Sequence, residues 1–378
     1  MPTKILAVAG ARPNFMKIAP LMRVLRKNSA FCAKLVHTGQ HYDAKLSKIF
    51  FDDLNIPRPD IELEVGSGTH AQQTAEIIKR FEPVLDKEQP QAVLVVGDVN
   101  STIGCALVTS KFTLREPFPS KLGQRRRPIV IHVEAGLRSF DWDMPEEINR
   151  ILTDAISDLL FVSDPAGLDN LRKEGVPESR CFFVGNVMID TLLSAREQAM
   201  KSSILEDLRV REKGYALLTL HRPSNVDDLD ALRTLLDSID EIAKDQPVLF
   251  PVHPRTRARL DSGGITLDAA RWKLTEPIGY MDFLKLLACA KVVLTDSGGI
   301  QEETTVLGVP CITLRENTER PVTLSHGTNV LAGTQKETIL AAYEKARARP
   351  SSSVTPPRFW DGKSAERIDE VLTEFFGR

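Results

Sequence analysis

The chain lacks the marks of several protein classes. Its five cysteines (Cys32, Cys105, Cys181, Cys289, Cys311) form no CxxC motif, and none pairs with a histidine at metal-ligand spacing. They are expected to be core thiols in a reducing compartment, and no metal is expected. Neither sign of charge is in excess. Lys and Arg (49) nearly balance Asp and Glu (51), and a net charge of −2 gives no field for nucleic acid or an anionic membrane. No uncharged apolar run approaches the ~20 residues that cross a bilayer. The apolar run at 5–9 is too short for a signal peptide, and Arg12 and Pro13 follow where a cleavage region would need small residues. A cytoplasmic address is expected. Solenoid-period repeats are absent too. A globular protein remains, because 42% hydrophobic and 26% charged residues are ordinary proportions. Its 378 residues suit two domains better than one.

What is present is an alternation of apolar runs and helical stripes. Residues 5–9 break at Gly10-Ala11-Arg12-Pro13, and helical spacing starts at Met16. This is strand, turn and helix without a GxGxxG phosphate loop. Arg12 and Lys17 flank the turn and suit a phosphate or carboxylate, or are simply surface cations. Residues 33–37 form a second strand, and 55–69 a Pro- and Gly-rich connection. The strand at 92–96 ends in Gly97-Asp98, where Asp98 is either a chemical group or part of a helix cap. Residues 111–127 have no clear pattern and are expected to be an exposed loop with a solvated Arg125-Arg126-Arg127 triplet.

The strand at 129–131 leads into His132-Val133-Glu134-Ala135-Gly136-Leu137-Arg138. Pro145-Glu146-Glu147 then opens a helix, where the dipole favours carboxylates. Carboxylates gathered beyond strand ends suit proton removal and delivery. The plainer alternative is a solvated acidic loop. Strands at 159–162 and 181–184 continue the alternation, which implies a parallel, doubly wound sheet.

Residues 200–214 are weakly patterned and are expected to be a linker. Four strands in the second half then end in His221-Arg222, His253-Pro254, Asp296-Ser297-Gly298-Gly299 and Arg315-Glu316. The paired glycines let backbone approach a ligand, and the amides of the next helix would face a diphosphate. Glu303, a turn further on, would reach a ribose. A glycine-stiffened corner is the alternative. Two Rossmann-like domains facing a cleft, as in B-fold glycosyltransferases, are expected at 1–199 and 200–359, with 360–378 packing back on the first.

The ordered motifs Gly10-Ala11-Arg12-Pro13 with Lys17, Gly97-Asp98, His132 to Arg138, Pro145 to Arg150, Gly185-Asn186 with Ile189-Asp190, His221-Arg222, Pro251-Val252-His253, Asp296 to Glu303 and Glu319-Arg320-Pro321 resemble the non-hydrolysing UDP-N-acetylglucosamine 2-epimerases. They cover roughly residues 5–330. The resemblance implies inversion of carbon 2 of UDP-N-acetylglucosamine, by elimination and re-addition of UDP, without cofactor or metal. It implies catalytic carboxylates at Asp98, Glu134 and Glu146 (with Glu147 the competitor) and an active-site histidine at His221. It places Arg12 and Lys17 at sugar and phosphates, Ser297, Gly298 and Gly299 at phosphate, and Glu303 at the ribose. Arg138, His253, Glu319 and Arg320 are further binding candidates. Domain closure would assemble the site. A cytoplasmic homodimer serving polysaccharide synthesis is also implied. Two departures stand out. The 112–128 loop is long for the family. At 40–42 the chain reads Gln-His-Tyr where substrate-activated members carry Gln-His-Arg, so such activation is not implied. Rivals are a UDP-diacetamido-glucuronate 2-epimerase, a hydrolysing epimerase, a retaining glycosyltransferase and a non-catalytic sensor.

Overall fold

The computed structural model describes residues 2–39, 56, 58–348 and 355–377. The loop at 40–43 lies outside them. Two compact units are present, 1–191 with 358–378, and 192–357, so the division falls inside the helix Val187–Ala199 rather than at its end. Among the described residues, no helix is long and apolar enough to cross a membrane. All five cysteines are free, and Cys105, Cys289 and Cys311 are buried.

The first unit contains β1 (Thr3–Ala9), β2 (Phe31–His37), β3 (Ile61–Glu62), β4 (Ala92–Val96), β5 (Phe118–Ser120), β6 (Gly123–Arg125), β7 (Ile129–Ala135), β8 (Leu159–Val162) and β9 (Cys181–Phe183). Its sheet has the order β3-β2-β1-β4-β7-β8-β9, with every pairing parallel. Every residue of β4 and β7 is buried, as expected of strands covered on both faces. Strands add to one side of β1 and then, from β4 onward, to the other. The reversal leaves a crevice between the carboxyl ends of β1 and β4. Helix Arg12–Lys27 follows β1, Asn100–Lys111 follows β4 and Pro145–Ile156 follows β7.

The second unit repeats the plan with β10 (Ala216–Thr219), β11 (Val248–Pro251), β12 (Trp272–Thr275), β13 (Val292–Thr295), β14 (Cys311–Thr313) and β15 (Asn329–Leu331). Their order is β12-β11-β10-β13-β14-β15, again all parallel. Here the reversal lies between β10 and β13. Helices Leu229–Ala243 and Lys336–Ala348 bury Leu232, Leu235, Ile239, Ile339 and Tyr343 against one face of this sheet.

Two expectations need correction. Residues 111–127 are not a bare loop, because β5 and β6 form an antiparallel hairpin. The arginine triplet is not simply solvated either. Arg127 and Arg125 both pair with Asp158, and Arg126 donates to the Arg115 carbonyl at 2.6 Å. Residues 200–214 are not a free linker. Ile204, Leu205, Leu208 and Val210 pack on the Tyr215–Leu249–Leu286 core, and Ile204–Asp207 is a helical turn.

The last helix, Ser364–Phe375, lies in the first unit. Asp190 accepts the Ser364 and Ala365 amides at 3.1 and 2.7 Å, and Asn28 reaches Asp369 at 3.0 Å. Phe376 is buried near Phe31 and Phe118, with ring centroids 6.4 and 6.3 Å away. The hairpin thus clasps the chain end, and Lys121 donates its amide to the Phe375 carbonyl at 3.0 Å. Phe376→Ala should destabilise the protein by about 3–5 kcal/mol, as large-to-small core changes do. Urea unfolding measures this, and a loss well under 1 kcal/mol would refute the clasp.

Candidate active site

At the first reversal, β4 ends in Gly97, whose φ of +65° turns the chain sharply before Asp98. A Cβ on Gly97 would lie 2.8 Å from Lys17 Nζ and 3.3 Å from Glu134 Oε2. A side chain there would press on that pair and would have to adopt a left-handed backbone that favours glycine. Lys17 and Glu134 are both buried and form an ion pair directly over it. Glu134 occupies a bulge in β7, where the register shifts between Val133 and Ala135, and its φ is +76°. Such backbone costs about 1–3 kcal/mol in a non-glycine residue, and bulges commonly re-aim a side chain at a functional site. Asn14 ties the neighbouring turn down, accepting the Gly10 amide at 3.0 Å and donating to the Val96 carbonyl at 3.2 Å.

Asp98 is partly exposed and held by Arg150, with Nη2 2.7 Å from Oδ2. The two adjacent glutamates of the next helix differ sharply. Glu147 is buried and accepts the Ser139 and Phe140 amides at 2.9 and 2.8 Å, the Ser139 hydroxyl at 3.0 Å and Arg150 at 2.5 Å. Its acceptor capacity is spent on loop geometry. Glu146 is half-buried at the helix start and has no partner among the described residues. Glu146 is therefore the available carboxylate. Arg12 opens its helix, but its side chain lies outside the described residues. Arg138 turns inward: it bonds Glu174 and Asp154, each at 2.7 Å, and its own Leu137 carbonyl. The structure gives it a bracing place rather than a ligand-facing one.

At the second reversal, β10 delivers His221 and β13 delivers Asp296. His221 Nδ1 lies 2.8 Å from Asp296 Oδ1, and the His221 and Arg222 amides donate to the same carboxylate at 3.0 and 2.9 Å. Burial would raise the Asp296 carboxyl, but the His221 ring and these amides hold it below the ordinary aspartate range. Asp296 fixes the ring through Nδ1, and the His221 side chain is half-exposed. The His253 ring lies 6.1 Å away and caps the helix Pro254–Ser262, accepting the Arg255 amide at 3.3 Å.

Ser297 precedes the helix Gly298–Leu307, and its own amide is taken by the Thr295 hydroxyl at 3.0 Å. The amides of Gly298 and Gly299 open the helix. A Cβ at Gly298 would come within 2.7 Å of Glu319 Oε1. Glu319 pairs with Arg315 at 2.8 Å and Arg222 at 3.4 Å, and Arg320 pairs with Glu302 at 2.6 Å. Three arginines thus gather beside this helix start, a setting for a polyanion. Tyr280, Arg150, Arg222 and Arg315 carried no assignment from sequence. Tyr280 left no signal, whereas Arg222 and Arg315 each follow the carboxyl end of a strand.

Two doubly wound parallel sheets, each with polar groups converging where strand order reverses, define a two-unit α/β enzyme class. Residues 23–373 match the family model described as UDP-N-acetylglucosamine 2-epimerase. The UDP-N-acetylglucosamine 2-epimerase of Methanocaldococcus jannaschii is 42% identical, over 98% of this chain and 99% of that protein. Its crystal structure in complex with UDP-GlcNAc and UDP superposes with a TM-score of 0.89, covering 98% of this chain and 100% of that one. The UDP-2,3-diacetamido-2,3-dideoxy-D-glucuronate 2-epimerase of Pseudomonas aeruginosa is 38% identical, over 98% and 99% of the two chains. The chain belongs to the UDP-N-acetylglucosamine 2-epimerase family.

Burial pushes the Glu303 carboxyl up to about 7; the Tyr280 hydrogen bond at 3.2 Å opposes this and Glu302 adds to it. A carboxyl raised on folding stabilises the fold while protonated, and that contribution is lost as pH rises through about 7. Wild type should therefore lose stability relative to Glu303→Gln between about pH 5 and 8, by up to roughly 3 kcal/mol. Urea unfolding of both proteins across that range checks it, and parallel pH profiles would contradict it.

Proposed function

We propose that this chain interconverts UDP-N-acetylglucosamine and UDP-N-acetylmannosamine. The observation that carries this reading is the pairing of site types. Ion-paired carboxylates stand at the strand ends of one sheet, and an anion-suited helix start beside an Asp-fixed histidine stands at those of the other. Inverting carbon 2 directly is difficult, because its hydrogen is poorly acidic. Eliminating UDP avoids the problem. The carbon 2 proton passes to a protein base, the carbon 1–oxygen bond breaks, and its electron pair leaves with UDP. A carbon–carbon double bond remains in the sugar. Re-addition reverses each step, with the proton delivered to the opposite face.

Two carboxylates are needed, one toward each face of the ring. We assign them to the set Asp98, Glu134 and Glu146. Lys17 would orient Glu134 and face the departing phosphates with Arg12, and Arg150 would orient Asp98. His221, oriented by Asp296, would donate to the leaving diphosphate. The amides of Gly298 and Gly299, with Ser297 and Arg320, would hold that diphosphate. Arg222, Arg315 and Glu319 would set the local charge, and His253 would line the same side. Glu303 would accept the ribose hydroxyls. No step calls for a redox cofactor or a metal. The same reading extends to a cytoplasmic homodimer supplying polysaccharide synthesis, which sedimentation of the purified protein would test for its dimer.

Incubation with UDP-N-acetylglucosamine in heavy water tests the reaction. NMR should show deuterium at carbon 2 of both UDP-sugars. Free sugar with UDP would indicate a hydrolase, and no exchange would indicate a transferase or a sensor. Asp98→Asn and Glu134→Gln should abolish the exchange while UDP still binds. A variant that keeps near-normal turnover would remove its residue from the assignment. Glu303→Ala should instead weaken UDP binding by roughly 1–3 kcal/mol, the usual cost of leaving a buried hydrogen-bonding group without its partner. Calorimetric titration with UDP would show whether it does.

A further inference from the structure

A buried chain of polar groups runs beneath both carboxylate-bearing turns of the first unit. His132, on β7, has no exposed surface. Its Nε2 lies 2.8 Å from the Gly97 carbonyl, and its Nδ1 lies 2.6 Å from Asp154 Oδ1. A carbonyl can only accept, so Nε2 carries a proton. Burial alone would raise the Asp154 carboxyl. The facing His132 ring and the Arg138 guanidinium outweigh that and hold it below the ordinary range. Asp154 Oδ1 braces the ring from its other nitrogen, Nδ1. The other oxygen of Asp154 accepts the Gly136 amide at 3.0 Å and Arg138 Nη2 at 2.7 Å.

One carboxylate therefore acts in two directions. Through His132 it fixes the peptide between Gly97 and Asp98. Through Gly136 it fixes the segment that leaves the strained Glu134. Stability alone does not account for such a cluster, since buried ion pairs are often no better than well-packed apolar groups of the same volume. Orientation does account for it. The Gly97 peptide sits at a left-handed turn, and the Glu134 backbone sits in a bulge, so both need external restraint.

We infer that Asp154 and His132 form a positioning pair that sets the placement of Asp98 relative to Glu134 for proton transfer at carbon 2. Neither reaches the reacting atoms, because both are fully buried. This inference rests on the epimerase reading above.

Two substitutions at one position separate the contacts. In His132→Asn the amide nitrogen falls near Nδ1, which keeps the Asp154 bond and removes the donor to Gly97. In His132→Gln the amide nitrogen falls near Nε2 and can keep the Gly97 bond. His132→Asn should lower kcat by about 10- to 100-fold, the scale of a small misplacement of reacting groups, while the Kd for UDP stays within about threefold. His132→Gln should recover most of that kcat, to within about fivefold of wild type. An unchanged kcat in His132→Asn, or equal losses in both variants, would overturn the inference. Should His132→Asn not fold, Asp154→Ala makes the same decision. It removes the acceptor for both His132 and the Gly136 N–H, whereas an Asn amide can turn to keep both contacts; in Asp154→Ala kcat should fall without loss of UDP affinity, and an unchanged kcat overturns the inference there too. Wild type run alongside keeps the two readings apart: no carbon 2 exchange in wild type counts against the reaction itself, not against the positioning pair.

Discussion

The reversal of strand order in each sheet is the constraint on which the rest depends. Parallel strands joined by right-handed crossovers cover both faces of a sheet with helices, so polar groups can gather only at its ends. Adding strands first to one side and then to the other parts two loops at a single point. Nature of side chain follows from that position. Lys17, Gly97 and Asp98 belong to the loops and early helical turns beside β1 and β4, and His221 and Asp296 to those beside β10 and β13. The same geometry used twice yields two unlike sites, because the first places carboxylates there and the second places a histidine, arginines and a glycine-led helix.

Charge at both points is prepared in advance. Glu134 meets Lys17, Asp98 meets Arg150, and Asp296 meets His221. Each acid is thereby held ready without a reorganising solvent, which is how preorganised sites gain their advantage over water. The arrangement carries a cost, visible in the positive φ of Glu134 and in the buried ion pairs beneath it. Glu147 shows the division of labour most plainly. It resembles its neighbour Glu146 in the sequence, yet it is consumed in holding Ser139, Phe140 and Arg150.

Much of this was legible in the chain. The apolar runs that became β1, β4, β7, β10, β11, β13 and β14 are nearly unbroken, and each is followed within a few residues by polar ones, so the loops carrying Asp98, His221, His253 and Ser297 could be located. What could not be seen is contact between distant residues. His132 and Asp154 are 22 positions apart and meet only through the helix after β7. Arg138 sits in a motif but spends its donors on Asp154 and Glu174. Strand β3 has two residues, β15 has three, and β12 mixes polar with apolar, so their patterns are too short to stand out. The arginine triplet resembled a solvated run because Asp158, which pairs with Arg125 and Arg127, is 31 positions from Arg127.

The proposed function puts the grip on UDP where the second sheet reverses its strand order. Hydrogen exchange of the intact protein, followed peptide by peptide with and without saturating UDP, tests this most directly. Slowed exchange concentrated in peptides covering 220–226 and 296–303 is the expected result. Unchanged exchange in both, with protection appearing only elsewhere in the chain, would contradict the account.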